Sequence, residues 1–196
     1  MGLNAYLEAV GAVGYTTGTT AAGAWVAIDG KPGKRVAIQS YDLNPRLGGT
    51  ATVGYVQHGR EAVNCTSSGG ASGATTLTVA TFTTAPATGA NVVVVLDNGT
   101  YQWLTVASTA STTSVPISSA LTDDANGNPV YDLGLVTADG NPQIQPGNTN
   151  TSAQSYGAPG LFFSKFKGCP VRIGLINAAA SLSATVDYVT YGYINV

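Results

Sequence analysis

The chain has 196 residues, which allows one or two domains, and a formal net charge of −2. Only 9% of the residues are charged, against ~25% in an ordinary soluble domain. This excludes a protein drawn to nucleic acid or anionic membrane by its overall charge. The remaining polar surface is mostly Thr, Ser and Asn. It suits either a chain that lives packed against other subunits or a β protein with a hydroxyl-rich exterior.

Residues 1–24 are small and rich in glycine, and Gly11, Gly14, Gly18 and Gly23 discourage helix beyond one turn over Ala5–Val10. They read as an arm that orders against a neighbour or against the rest of the fold, with Tyr6 and Leu7 as candidate interface residues. AWVAIDG, the turn Lys31-Pro32-Gly33-Lys34, and RVAIQSYDL then read as strand, turn, strand. TATVGYVQHG (50–59) is a further strand, with Val53, Tyr55 and Gln57 on one face. NCTSSGGASGA (64–74) reads as a flexible joint of small residues, after which TTLTVATF (75–82) restarts as a strand.

The strongest local signal is VVVVLDNGTYQWLTV (92–106). Asn98-Gly99 between two apolar runs predicts a two-residue type I′ hairpin, pairing Asp97 with Thr100, Leu96 with Tyr101 and Val94 with Trp103. Val92, Val94, Leu96, Tyr101 and Trp103 then share one face, and Val93, Val95, Leu104 and Val106 the other. Both faces are apolar, so the hairpin is expected to be covered on both sides, which makes Tyr101 and Trp103 candidate subunit-interface residues. Val115 and Ile117 flank Pro116 in a short edge or irregular strand, and a strand through Val130, Leu133 and Val136 follows a polar loop. DGNPQIQPGNTNTSAQSYGAPG (139–160) is a return linker, and LFFSKF, GCPVRIGLIN and SATVDYVTYGYINV supply the closing strands, the last with Val186, Tyr188, Thr190 and Gly192 on one face.

Charge divides the chain into segments. All eight basic residues lie outside 62–140, a window that carries five aspartates and a charge of −5. The flanks carry +8 against five acids, or +3. The expected organisation is therefore an arm (1–24), a discontinuous β-sandwich or jelly-roll-like frame (25–62 and 140–196) and a small β-barrel-like module inserted at 63–139. The fold class is all-β.

Groups that carry chemistry are sparse. His58 is the only histidine, at a strand end with no nucleophile motif beside it, and reads as structural. Cys65 sits in a Ser/Gly stretch, a poor place to hold a nucleophile. Glu8 and Glu61 are the only glutamates, and the aspartates fall mainly in turns, where their side chains bond the backbone. Asp124-x-Asn126-x-Asn128 has the start of a calcium loop, but Pro129 and Leu135 stand where its glycine and bidentate glutamate belong. The glycine-rich phosphate-binding motifs are absent. No cofactor, metal site or catalytic residue is expected, and the chain is not expected to be an enzyme.

Two basic clusters remain, one of Lys31, Lys34 and Arg35 and one of Lys165, Lys167 and Arg172, with Arg46 between them in sequence. They read either as solvated turns or as a docking face for an acidic partner surface. Without an aromatic platform they are weak for nucleic acid. No run of 18 apolar residues exists, so no transmembrane helix and no membrane partner is expected. The N-terminus lacks a signal-peptide pattern, and MGLNAY lacks the Ser or Thr a myristoylation site wants. A chain kept in a reducing cytoplasm is expected to hold Cys65 and Cys169 as thiols, with a single bridge tying insert to frame as the alternative, and to leave its sequons unused.

The composition, the missing export and catalytic motifs, and the segment ATTLTVATF…GANVVVVLDNGTYQWLTVAS together resemble virion structural proteins of tailed bacteriophages, most of all head decoration (cement) proteins. The resemblance covers most of the chain in style and rests on no diagnostic motif. It implies a β-rich, often trimeric homo-oligomer on the capsid exterior that clamps neighbouring major capsid protein subunits after assembly in the bacterial cytoplasm. No catalytic residue carries over. The interrupted architecture departs from the smallest decoration proteins, which leaves a tail, adaptor or spike module that binds a host receptor or glycan as the alternative.

Overall fold

The computed structural model describes residues 10–13, 16–18, 24–44, 52–135, 143–144, 162–177 and 184–195. Among them every regular element is a β-strand and every pairing is antiparallel. The fold is all-β and sandwich-like, as the alternating apolar pattern and the glycine-rich turns imply. Tyr6, Leu7, Arg46 and most of the 139–160 linker lie outside the described residues.

The chain divides into two compact units, Met1–His58 with Asn141–Val196, and Gly59–Gly140. The first unit begins with β1 (Val10–Val13), β2 (Thr16–Gly18), β3 (Ala24–Ile28), β4 (Arg35–Asn44) and β5 (Thr52–His58). The second holds β6 (Glu61–Asn64), β7 (Thr76–Thr78), β8 (Asn91–Val95), β9 (Tyr101–Thr105), β10 (Ser114–Pro116) and β11 (Pro129–Gly134). The first resumes with β12 (Gln143–Ile144), β13 (Phe162–Phe163), β14 (Val171–Asn177) and β15 (Ala184–Ile194).

In the first unit one sheet runs β1-β15-β4-β13, with β2 also on β15, and the other runs β12-β5-β14-β3. Val26, Ile28, Val56, Val171, Ile173 and Leu175 from one sheet meet Val36, Ile38, Tyr41, Val186 and Val189 from the other in a single buried cluster. The short strands β1 and β2 order residues of the N-terminal segment against β15. β3 and β4 follow one another across the Lys31–Lys34 turn yet lie in different sheets, so this turn closes one end of the sandwich. β5 and β12, the strands between which the second unit is inserted, pair with each other at Tyr55–Gln143. An insertion between paired neighbours leaves the frame's own register intact.

The last strand departs from the simple alternation. Val186 and Val189, three residues apart, are both fully buried. The register against β4 shifts between Val186 and Tyr188. A bulge inserts one residue and swaps which parity faces the core, an event that a period-2 reading cannot contain.

In the second unit β6-β11-β8-β9 form one sheet and β10-β7 another. Bridges at Cys65–Val79 and Val106–Ile117 join their edges, with flanking bonds from Thr66 N to Thr78 O (2.9 Å) and from Ala107 N to Pro116 O (3.0 Å). The pairing thus closes into a ring, barrel-like, around Leu77, Phe82, Val92, Val94, Leu104, Val115 and Val130. Closure leaves few unpaired strand edges.

The hairpin register differs by one residue from the expected one. Val95 pairs with Tyr101, Val93 with Trp103 and Val92 with Leu104. Gly99 N donates to Leu96 O (2.9 Å) and Leu96 N to Thr100 O (2.9 Å), with Gly99 at φ +82°. This is a three-residue loop, with the glycine in the single left-handed position such a loop needs. One slip exchanges the faces of β9. Leu104 and Val106 now join Val92, Val94 and Leu96 in the core, and Tyr101 and Trp103 move to the face of Val93 and Val95, where both are half-buried. Gln102, opposite Val94, is satisfied by donating to Ala120 O (2.9 Å) and accepting from Thr122 N (3.0 Å). Val92, Val93 and Val94 are all fully buried, so β8 is covered on both faces as expected.

The 64–74 stretch is packed, not a flexible joint. Gly69 and Gly70 are buried. Gly70 N donates to Asn126 Oδ1 (3.1 Å), Ala125 N to Gly70 O (2.7 Å), Ser72 N to Asp124 Oδ1 (2.7 Å) and Gly73 N to Leu121 O (2.8 Å). Asp124 and Asn126 of the calcium-like run therefore use their side chains as staples for this loop. Small residues here allow close backbone packing, a function of glycine that composition alone does not separate from mobility.

Cys65 and Cys169 are buried free thiols in different units. Burial pushes the Cys65 thiol up to about 11. Because the thiolate is the reactive form, the native protein is expected to leave both cysteines unlabelled by a disulfide-exchange reagent at pH 8, with full labelling in denaturant. Fast labelling of the native protein contradicts this packing.

Candidate functional site

Chemistry-bearing side chains are dispersed. Among the described residues no group of three or more His, Cys, Asp and Glu side chains can hold a metal. His58 packs its ring on Phe162, 5.2 Å between centroids and tilted by 57°. Asp132, fully buried, accepts from Gly134 N (2.8 Å) at the bulge of β11 and faces Arg60 Nε at 3.7 Å. This pair is internal to the second unit.

What the fold does bring together is charge. The turn carrying Lys31, Lys34 and Arg35 and the loop carrying Lys165 and Lys167 lie side by side at one end of the sandwich. Ser164 joins them. It is fully buried; its main-chain N donates to Val36 O (2.8 Å) and its Oγ accepts from Val36 N (3.0 Å) and donates to Phe166 O (3.1 Å). Its carbonyl accepts from Arg35 Nε. Gly168 N donates to Lys34 O (2.7 Å), which fixes the far end of the pair of loops. Nothing in LFFSKF marks that serine as the link, because its partners lie 128 residues away.

Five cations thus lie on two loops bonded to each other, with Asp29 as the one acid in residues 29–35 and 164–168. Lys31, Lys165 and Lys167 are exposed, and Lys34 and Arg35 half-buried. Aromatic rings offset part of the mutual repulsion. Lys31 Nζ lies 5.8 Å from the centroid of Tyr193 and Lys165 Nζ 5.1 Å from that of Phe166. Tyr193 is half-buried, and its hydroxyl donates to Asp29 O (3.0 Å), tying the C-terminal strand to the turn. Burial, with Tyr191 and Asp29 nearby, raises its phenol above the ordinary range.

Arg172 is placed differently from the other basic residues. On β14 it stacks its guanidinium 4.3 Å from the ring centroid of Trp25 and donates from Nε to Gln57 Oε1 (2.5 Å). Gln57 is fully buried. Desolvation lowers the Arg172 pKa to about 10, which leaves it charged at neutral pH. Its charge is held by an indole and an amide within the sheet face, a pairing not evident in the sequence because Trp25 stands far ahead of it.

Among the described residues no helix is long and apolar enough to cross a membrane. No protein-family model matches the chain, and no curated protein sequence does. Among solved structures, the chain is similar to VP17, a capsid protein of bacteriophage P23-77, with 10% identity over 97% of this chain and 100% of that one, at a TM-score of 0.25.

Proposed function

We propose that this chain is a non-enzymatic structural protein of a bacteriophage virion, bound to the outer capsid surface, where it stabilises the shell by bridging major capsid subunits. The observation that carries this reading is the convergence of Lys31, Lys34, Arg35, Lys165 and Lys167 on two loops pinned together through Ser164. A preorganised cationic surface with no reacting group beside it is suited to docking. The low charge elsewhere and the closed β architecture fit a protein whose work is mechanical. Many weak contacts repeated over a shell stabilise it through mass action on the assembled state. A homo-oligomer, with a trimer favoured, and assembly in the host cytoplasm belong to the same proposal.

The test is cosedimentation of the purified protein with DNA-free shells of the parent phage. Binding is expected at low salt and is expected to fall by ~tenfold or more for the K31E/K34E/K165E/K167E variant, because complementary charges at an exposed interface are screened by salt. Undiminished shell binding by this variant, with its thermal melt unchanged, removes the docking assignment. If shells are not bound at all and the protein binds glycans in a manner lost on Trp103→Ala, the receptor-binding alternative replaces the capsid reading.

A further inference from the structure

We propose that the acidic surface received by the basic loops is the hairpin corner of a second copy of this chain, formed by Asp97, Asp123 and Asp124. The proposal rests on the reading of the basic loops as a docking face; it makes a second copy, in place of the capsid protein, their direct partner, so that shell binding belongs to the associated copies. The two units carry opposite charge. The first has seven basic residues against four acidic, and the second has one basic residue, Arg60, against six acidic. That one base is already opposite Asp132 at 3.7 Å.

The three aspartates form one corner because the β8–β9 turn and the 121–128 loop are bonded to each other. Asp97 N donates to Asp124 O (2.7 Å), and Asn128 Nδ2 donates to Asp97 Oδ1 (2.6 Å). Asp97 is exposed, and Asp123 and Asp124 are half-buried. Their ordered bonds are to backbone and amide donors: Asp123 Oδ1 accepts from Asp124 N (2.8 Å) and Asp124 Oδ1 from Ser72 N (2.7 Å). The second unit's own base, Arg60, faces Asp132 and not this corner. The corner is thus a rigid anionic feature, and the Ser164-linked loops are a rigid cationic one. Charge complementarity across two preorganised surfaces orients an encounter without an ordering cost at either side. Because the two surfaces are different, the contact is heterologous. Copies add head to tail, and the geometry of the repeat closes them into a ring or runs them as a chain over the shell.

Two variants separate the outcomes. K31E/K34E/K165E/K167E removes the basic surface, and D97N/D123N/D124N neutralises the corner while keeping an acceptor oxygen for each backbone bond. Sedimentation velocity of the wild type is expected to show association at 50 mM salt that weakens at 500 mM, with each variant weaker by ~tenfold or more. An equimolar mixture of the two variants is expected to stop at one-to-one complexes, since only one compatible pair of faces remains. On shells, equal loss of binding by both variants supports the second copy as the partner. Loss by the lysine variant alone makes the capsid protein the acidic partner, which overturns this inference and keeps the docking reading. Full binding by both variants overturns both. A wild type that stays monomeric at low salt and high concentration also overturns the inference.

Discussion

Gly69→Ala is expected to destabilise the second unit by ~3 kcal/mol or more, a loss on the order of 10–20 °C in melting temperature for a unit of this size. A Cβ on Gly69 would overlap the carbonyl oxygen of Thr78 and the hydroxyl of Thr66, and would stand 2.8 Å from the Thr78 carbonyl carbon. Two of these three atoms are backbone, so relief requires the strand itself to move. That movement breaks the bonds from Gly69 N to Thr66 O (3.1 Å) and from Thr78 N to Gly69 O (2.9 Å), which hold the edge where the ring of strands closes. Gly73→Ala is the control. Gly73 has φ +81° and nothing within 4 Å of its added Cβ, so only the left-handed strain of ~1–2 kcal/mol is incurred. Thermal melts of the two variants check the contrast. A Gly69→Ala protein as stable as the wild type means that the 64–74 loop is not packed as described.

Phe82→Ala is expected to cost ~3–5 kcal/mol, the range for truncating a fully enclosed aromatic side chain. Among the described residues Phe82 has the largest fully buried side chain. It belongs to the core of the second unit with Leu77, Val79, Leu96 and Leu121, and its N donates to Thr112 O (2.8 Å), so backbone and side chain are both fixed. The hole cannot collapse easily, because strands on all sides are bonded into the ring. Phe82→Leu keeps most of the volume and is expected to lose under ~1.5 kcal/mol. Denaturant titration distinguishes the cases, with a lower midpoint at an unchanged slope marking loss of stability. A small effect of Phe82→Ala places the core elsewhere.

These two residues also mark where sequence reading worked and where it failed. Phe82 ends a run read as a strand, TTLTVATF, in which alternation points Leu77 and Val79 inward whatever they later pack against; the ring of Phe82, three residues past Val79, lies off that parity and is turned inward by the fold. Gly69 sits among residues whose composition suits either a mobile linker or a tight crossing, and only contacts to Thr78 and Ala125 distinguish the two. The hairpin shows the same division within one motif. Asn98-Gly99 marks the turn correctly, yet two- and three-residue loops both accept a glycine in left-handed backbone. The choice between them moved Tyr101 and Trp103 off the core face, because Leu104 and Val106 fill the ring interior without burying a hydroxyl or an indole N–H. Of the residues proposed for docking, the basic turn and the 165–167 pair were visible as charges. Their meeting was not, since it depends on Ser164. Arg172 was visible as a charge and is held instead against Trp25 and Gln57.

By itself the sequence determined the elements that short-range physics controls. Period-2 alternation, turn-forming Gly, Pro and Asn, and the lack of helical periodicity specify an all-β chain. The segregation of cations from aspartates is likewise written in the order of residues. The tertiary structure decided register, bulges and neighbours. It placed β3 and β4 in opposite sheets, shifted the hairpin by one residue, switched the buried parity of β15 and joined the two basic loops. Each of these is set by hydrogen bonds and burial between segments tens to more than a hundred residues apart. Local preference leaves such choices nearly equal in energy, and the packed core selects among them.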